Sequence, residues 1–176
     1  GSQKSLKLLI DNLNRYSAES RYRIFVSVAR PGPFVDLLKR DGNADMLEHN
    51  RIQWMKHDRR SIVQHLGDLA ALIPGSFPRI LNLAGMIKKY HIDLVHSNSA
   101  VSLEGALAAK LARRPHVWHI REIFIQDNPK LIPVLGKDQT RRIIDRLSDR
   151  VVCISQAVRD QFGPLAELHP EKYPVI

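Results

Sequence analysis

The sequence predicts an α/β domain on a parallel, doubly wound sheet, and three segments carry the prediction. Ile92-Asp-Leu-Val-His-Ser-Asn98, Pro115-His-Val-Trp-His-Ile-Arg-Glu122 and Asp149-Arg-Val-Val-Cys-Ile-Ser155 are short apolar runs that end in polar, chemically capable side chains. Between the first two lies the Ala/Leu-rich stretch Ala100 to Arg113, which reads as a helix; Gln156 to Phe162 reads as a short helix after the third. A strand, a crossover helix and a second strand make a parallel pair. In such sheets the C-terminal strand ends gather at one edge, where ligands bind. Ser97, Asn98, His119, Arg121, Glu122 and Ser155 are therefore expected along that edge.

The remaining elements follow from periodicity and punctuation. Apolar residues at 6, 8, 9, 10 and 13 predict a helix from Lys4 to Tyr16. Tyr22 to Ala29 alternates Ile24, Val26 and Val28 on one face and reads as a strand. Arg30-Pro-Gly-Pro33 is a turn, Pro33 suits the first turn of a helix through Arg40, and Asp41-Gly42 stops it. Ala44 to Met55 is ambiguous, with a weak strand at Arg51 to Trp54, and Lys56 to Arg60 reads as a charged loop. Ile62 to Ile73 and Phe77 to Lys89 are amphipathic helices split by Pro74-Gly75. Pro129, Pro133 and Gly136 break Ile123 to Gly136 into a loop with short turns, placed where a substrate lid could sit. Asp138 to Leu147 is a basic amphipathic helix.

Composition narrows the class. At 176 residues the chain is expected to form one domain with a real core. A single cysteine, Cys153, lies inside an apolar run; a disulfide framework is excluded, and a cytoplasmic location is expected. No apolar run is long enough to span a bilayer. The net charge of +9 implies attraction to phosphates on nucleic acid, anionic lipid or a nucleotide-linked substrate, or else an ordinary solvated surface. The arginines are scattered and the aromatics do not interleave with them, which argues against nucleic acid as a partner. Both ends read as cuts from something longer.

Taken together, Gly1-Ser-Gln-Lys-Ser-Leu6, Ile92 to Asn98, Pro115 to Glu122 and Ser148 to Ser155 resemble the N-terminal domain of the family 4 glycosyltransferases. The resemblance runs over nearly the whole chain and rests on the order and spacing of the pieces. It implies a Rossmann-like doubly wound parallel sheet, the N-terminal half of a GT-B enzyme, with residues 1–176 as one acceptor-side domain of a larger two-domain protein. The family's first strand would precede a Gly-rich loop whose end Gly1-Ser-Gln-Lys4 resembles, so that strand is expected to be missing; Gly1-Ser2 could equally be a cloning remnant. The implied activity is retaining transfer of a hexose from a nucleotide-sugar donor. The donor is a substrate held mainly by a C-terminal domain, and no cofactor or metal is expected. The implied acceptor is a sugar or a lipid-linked molecule, with an anionic membrane surface as a further partner, and this stretch alone is expected to be inactive.

In the family a histidine closes the second of these strands and faces acceptor and donor sugar. Strict spacing puts Arg121 in that slot, with His119 two residues earlier, and either could inherit the role. Alternation gives His119 and Arg121 one face. Arg121 could hold a phosphate or carboxylate in bidentate fashion. One of Ser97, Asn98 and Ser99 is expected to cap the following helix, leaving another for sugar hydroxyls. Ser155 is placed to cap the last helix. Gly1, if native, leads into a helix N-terminus suited to an anion. His96 is expected in the core. Two other classes stay open: a flavodoxin-like nucleotide or effector module without catalysis, and a basic domain that binds anionic surfaces. No intact Gly-x-Gly-x-x-Gly follows a strand to support dinucleotide binding.

Overall fold

Parallel βαβ crossovers organise the chain, one in the unit Gly1–Arg51 and two in the unit Ile52–Ile176. The computed structural model describes residues 2–16, 22–28, 32–42, 44–48, 54–56, 64, 67, 76–125 and 131–176.

In the first unit, helix α1 (Ser2–Tyr16) precedes strand β1 (Phe25–Val28), helix α2 (Pro33–Asp41) and strand β2 (Asp45–Glu48). Pro33 opens α2 as its spacing predicts. Gly42 closes it with φ 64°, its N–H donating to the Leu38 carbonyl at 3.2 Å, a left-handed cap that glycine adopts without steric cost. That reversal returns the chain beside β1, and β1 and β2 pair in parallel from Phe25↔Asp45 to Val28↔Glu48. Ile10, Val26 and Leu38 form the core of this unit. The strand expected at Arg51 to Trp54 falls mostly outside the described residues, and the second strand of this unit is Asp45–Glu48. Asp-Met-Leu-Glu has little strand propensity of its own; pairing with β1 supplies the conformation.

The second unit holds β3 (Met55–Lys56), α3 (Phe77–Lys89), β4 (Val95–Asn98), α4 (Leu103–Ala112), β5 (His116–Ile120), β6 (Ile132–Pro133), α5 (Lys137–Arg146), β7 (Arg150–Cys153), and two short helices, α6 (Gln156–Asp160) and α7 (Pro164–Leu168). Lys56, expected in a loop, belongs to β3, which pairs antiparallel with β6 inside the segment expected to be irregular. The helix expected over Ile62 to Ile73 and the loop residues 126–130 fall outside, or mostly outside, the described residues.

The main sheet runs β4-β5-β7, all parallel. Beyond β7, Val175 forms a parallel bridge with Cys153. Helices α3 and α4 pack through Leu83, Ala84, Ile87, Ala108 and Ala112, and α4 in turn covers the sheet. The small alanines of α4 let the helix lie close to the strands. Burial alternates along β5: His116, Trp118 and Ile120 are buried, Val117 and His119 partly so. Trp54 and Trp118, fully buried and stacked at 5.8 Å between ring centroids, lie in the core with Phe124, Ile144 and Phe162.

Candidate functional site

The register sets Asn98 directly beside His119 and Ile120 beside Cys153, at the C-terminal ends of three parallel strands. Just past β4 the backbone makes an unusual turn. Ser99 has φ 145°, a conformation that costs a non-glycine residue on the order of 1–3 kcal/mol and persists only when its surroundings enforce it. Both tryptophans enforce it: Trp118 donates its indole N–H to the Ser99 carbonyl at 2.8 Å, and Trp54 donates to the Ala100 carbonyl at 3.0 Å. From the other side Glu122 accepts from the Ser99 hydroxyl at 2.5 Å and from the Ala100 N–H at 2.9 Å. Its carboxylate also accepts from the Arg121 N–H at 3.2 Å. Gln161, 2 % exposed, donates to the Glu122 carbonyl and accepts from the Phe124 N–H. The strand ends are thus braced to one another by a closed polar network.

The expected residues divide at this edge. Ser97 turns inward, and its hydroxyl meets His116 Nε2 at 2.9 Å. His116 Nδ1 lies 3.0 Å from the Leu147 carbonyl, which can only accept; Nδ1 therefore carries the proton and the Ser97 hydroxyl donates to Nε2. Burial holds His116 at about 4, below the usual imidazole value, against the opposing pull of the Leu147 carbonyl and Asp149. The expected cap from Ser97, Asn98 or Ser99 is also corrected: Ser102 is the N-cap of α4 and makes no side-chain cap bond. Ser99 instead accepts from the Val101 N–H at 3.3 Å, closing the turn. Glu122 is committed to the turn rather than open to the edge. Ser155 caps α6, accepting the Val158 N–H at 3.3 Å. Gly1 lies outside the described residues.

Asn98, His119 and Arg121 share the opposite face, and a fourth residue joins them. His96, expected in the core, is partly buried there, its ring edge-on to that of His119 with centroids 5.8 Å apart. Period-two alternation from Asn98 could have found it. Arg121 Nη1 reaches Asn98 Oδ1 at 3.5 Å, a long contact. Burial, then the charges of His119, His116 and Arg121, hold His96 at about 4. Burial, then Arg121, also lower His119, with Glu122 pulling the other way. Among the described residues His119 Nε2 is buried without a hydrogen-bond partner, which is unusual for a ring nitrogen. Cys153 is buried and its thiol is pushed up to about 12 by that burial, so it is unreactive. No group of three or more His, Cys, Asp or Glu among the described residues is arranged to hold a metal ion.

Parallel strands that deliver polar side chains to one edge define a Rossmann-like α/β domain. Residues 16–176 match the model of Glycosyltransferase Family 4, and the chain belongs to that family. Among solved structures it is similar to a protein assigned as a UDP-N-acetylglucosamine 2-epimerase from Listeria monocytogenes, with TM-score 0.54 and 13% identity over 98% of this chain. At that identity the likeness is one of fold. The chain spans 41% of that protein's length. No curated protein matches it.

Proposed function

We propose that this chain is the acceptor-binding N-terminal half of a retaining glycosyltransferase, residues 1–176 of a larger two-domain enzyme that moves a hexose from a nucleotide-sugar donor. The observation that carries the reading is the shared face of Asn98, His119 and Arg121 at the strand ends, with His119 Nε2 lacking a partner among the described residues. An amide, an imidazole and a guanidinium offer directional donors and acceptors to sugar hydroxyls and phosphates. The Ser99 turn and Glu122 position this face without meeting the substrate. The donor nucleotide is held by the second domain, so this chain alone orients an acceptor and transfers nothing. The test is transfer by the full-length protein against the 176-residue chain: turnover of a nucleotide sugar is expected from the former only, and turnover by the latter would overturn the two-domain reading.

An anionic membrane surface bearing the acceptor is part of the proposal. Ile144 of α5 is buried in the core while Lys137, Arg142 and Arg146 are exposed, as is Arg150 beyond them. Each cation near an anionic surface adds about 1 kcal/mol, screened by salt, which gives reversible association. No described helix is long and apolar enough to cross a membrane. Co-sedimentation of the full-length protein with anionic but not neutral vesicles is expected, and equal binding to both would contradict this part of the reading.

A further inference from the structure

The edge opposite the candidate site is basic, and helix dipoles account for only part of that charge. In the main sheet the strands begin together, Val95 beside His116 and Val117 beside Arg150, and α3, α4 and α5 each return the chain to those starts. Exposed Lys88, Lys89, Lys110, Arg113, Arg146 and Arg150 gather there. Against them stand exposed Asp93 and Asp149, and Asp149 already accepts from the His116 N–H at 2.8 Å. Among the described residues Lys88, Lys110, Arg113 and Arg146 make no ion pair. A cation in the last turn of a helix suits its dipole, which accounts for Lys88, Lys89, Lys110 and Arg146. The residues past the helix ends need another reason. Both α3 and α4 close through a left-handed residue, His91 at φ 53° and Arg113 at φ 57°. Beyond them the Ile92 N–H donates to the Ile87 carbonyl and the Arg114 N–H to the Ala109 carbonyl, each at 2.9 Å. Glycine adopts that conformation with the least strain. Two neighbouring helices thus place an imidazole and a guanidinium where glycine would fit more easily.

Leu94 and Leu111 lie at the same edge, 54% and 47% exposed. Resting on the anionic-surface reading above, we propose that this strand-start edge docks on an anionic bilayer, with its lysines and arginines among the lipid phosphates and the two leucines at the headgroup–acyl boundary. The carbonyl ends of three helices repel a small anion seated against them, while long cationic side chains reach past them; an extended anionic surface fits that arrangement. Tyr90, the aromatic at this edge, is half-buried with the Lys89 ammonium 5.2 Å from its ring centroid, which gives no platform for stacked bases. Exposed leucines among cations match the apolar and charged layers of a lipid interface. The candidate edge then stands off the bilayer by at least the length of β5, five residues or about 16 Å. An acceptor carried on that surface presents its sugar on a headgroup of comparable reach.

The test is co-sedimentation of the full-length protein with vesicles of phosphatidylcholine alone and of equimolar phosphatidylcholine and phosphatidylglycerol, with melting temperature measured in parallel. Each cation near an anionic surface contributes about fivefold in affinity. Lys88→Gln/Lys89→Gln/Arg113→Gly is therefore expected to weaken binding to phosphatidylglycerol about 100-fold at low salt. Arg113→Gly alone is expected to weaken it about fivefold while raising the melting temperature, since glycine relieves the left-handed backbone. A residue that served only the fold would not move the two in opposite directions. Leu94→Asn/Leu111→Asn is expected to weaken binding at every salt concentration, whereas the loss from the charge variants fades as salt rises. Undiminished binding by the triple variant would overturn the proposal; if Arg142→Gln diminishes binding instead, the anionic-surface reading of α5 stands without it. Binding to soluble heparin as tight as to the vesicles, with vesicle binding unchanged by the leucine variant, would give the edge to a soluble polyanion and overturn it. No preference of the unaltered protein for phosphatidylglycerol would overturn both readings.

Discussion

His116 and His119 stand three residues apart on one strand and live under opposite rules. His116 faces the core, both ring nitrogens are engaged, by Leu147 and Ser97, and its neighbourhood tolerates no slack. A Cβ added at Gly105 would lie 2.7 Å from the Ser97 hydroxyl. His119 faces the other way, beside His96 and Arg121, with Nε2 left without a partner among the described residues. A buried polar group that is satisfied is part of the scaffold; on the proposed acceptor-binding reading, the one left unsatisfied at the strand end belongs to the face that meets the acceptor. The contrast separates residues that build the edge from residues that use it.

The core side should show the largest effects. Trp118→Ala removes a fully buried ring and the donor that holds Ser99, and about 3–5 kcal/mol of stability should be lost in urea unfolding. A loss below 1 kcal/mol would mean that the Ser99 turn is not held from within. Glu122→Ala should cost about 2–3 kcal/mol, since it strands the Ser99 and Ala100 donors, and should release the turn in hydrogen exchange at Ala100. Gly105→Ala should cost roughly 1–3 kcal/mol by overpacking against Ser97. Adding Ser97→Ala should recover part of that loss, since the two residues share one contact; simple additivity would place the conflict elsewhere.

Acid should act on the histidines in one direction. Unfolded imidazole titrates near 6.5, while burial keeps His96 and His116 neutral in the fold down to about 4. The unfolded chain therefore binds more protons between those values, so stability is complete above pH 6.5 and falls as pH drops toward 4. Each histidine contributes at most about 3 kcal/mol across that window. His116→Asn should flatten the slope between pH 6.5 and 5, measured by thermal unfolding. The smallest effect belongs to the surface: Arg142→Gln should move stability by less than about 0.5 kcal/mol.

The scaffold was largely legible in the chain. Three apolar runs ending in polar residues marked β4, β5 and β7, and proline and glycine marked both ends of α2. The second strand of the first unit was not, because Asp45–Glu48 takes its conformation from β1 and not from its own propensity. At the edge, sequence position identified which residues arrive but not which way they turn. Ser97 and Asn98 are neighbours in sequence and lie on opposite faces. Glu122 looked like a ligand contact, and its engagement with Ser99 and Ala100 depends on a turn that no local motif encodes. His96 was readable by counting in twos from Asn98, a step that its apolar surroundings obscured.

The comparison is tested most directly by measuring unfolding and sugar transfer together in the full-length enzyme for His116→Asn and His119→Ala. His119→Ala should lower transfer by about 100-fold while changing stability by less than about 1 kcal/mol. His116→Asn should lose stability while each folded molecule keeps its transfer rate. Unimpaired transfer by His119→Ala would contradict the division between scaffold and edge.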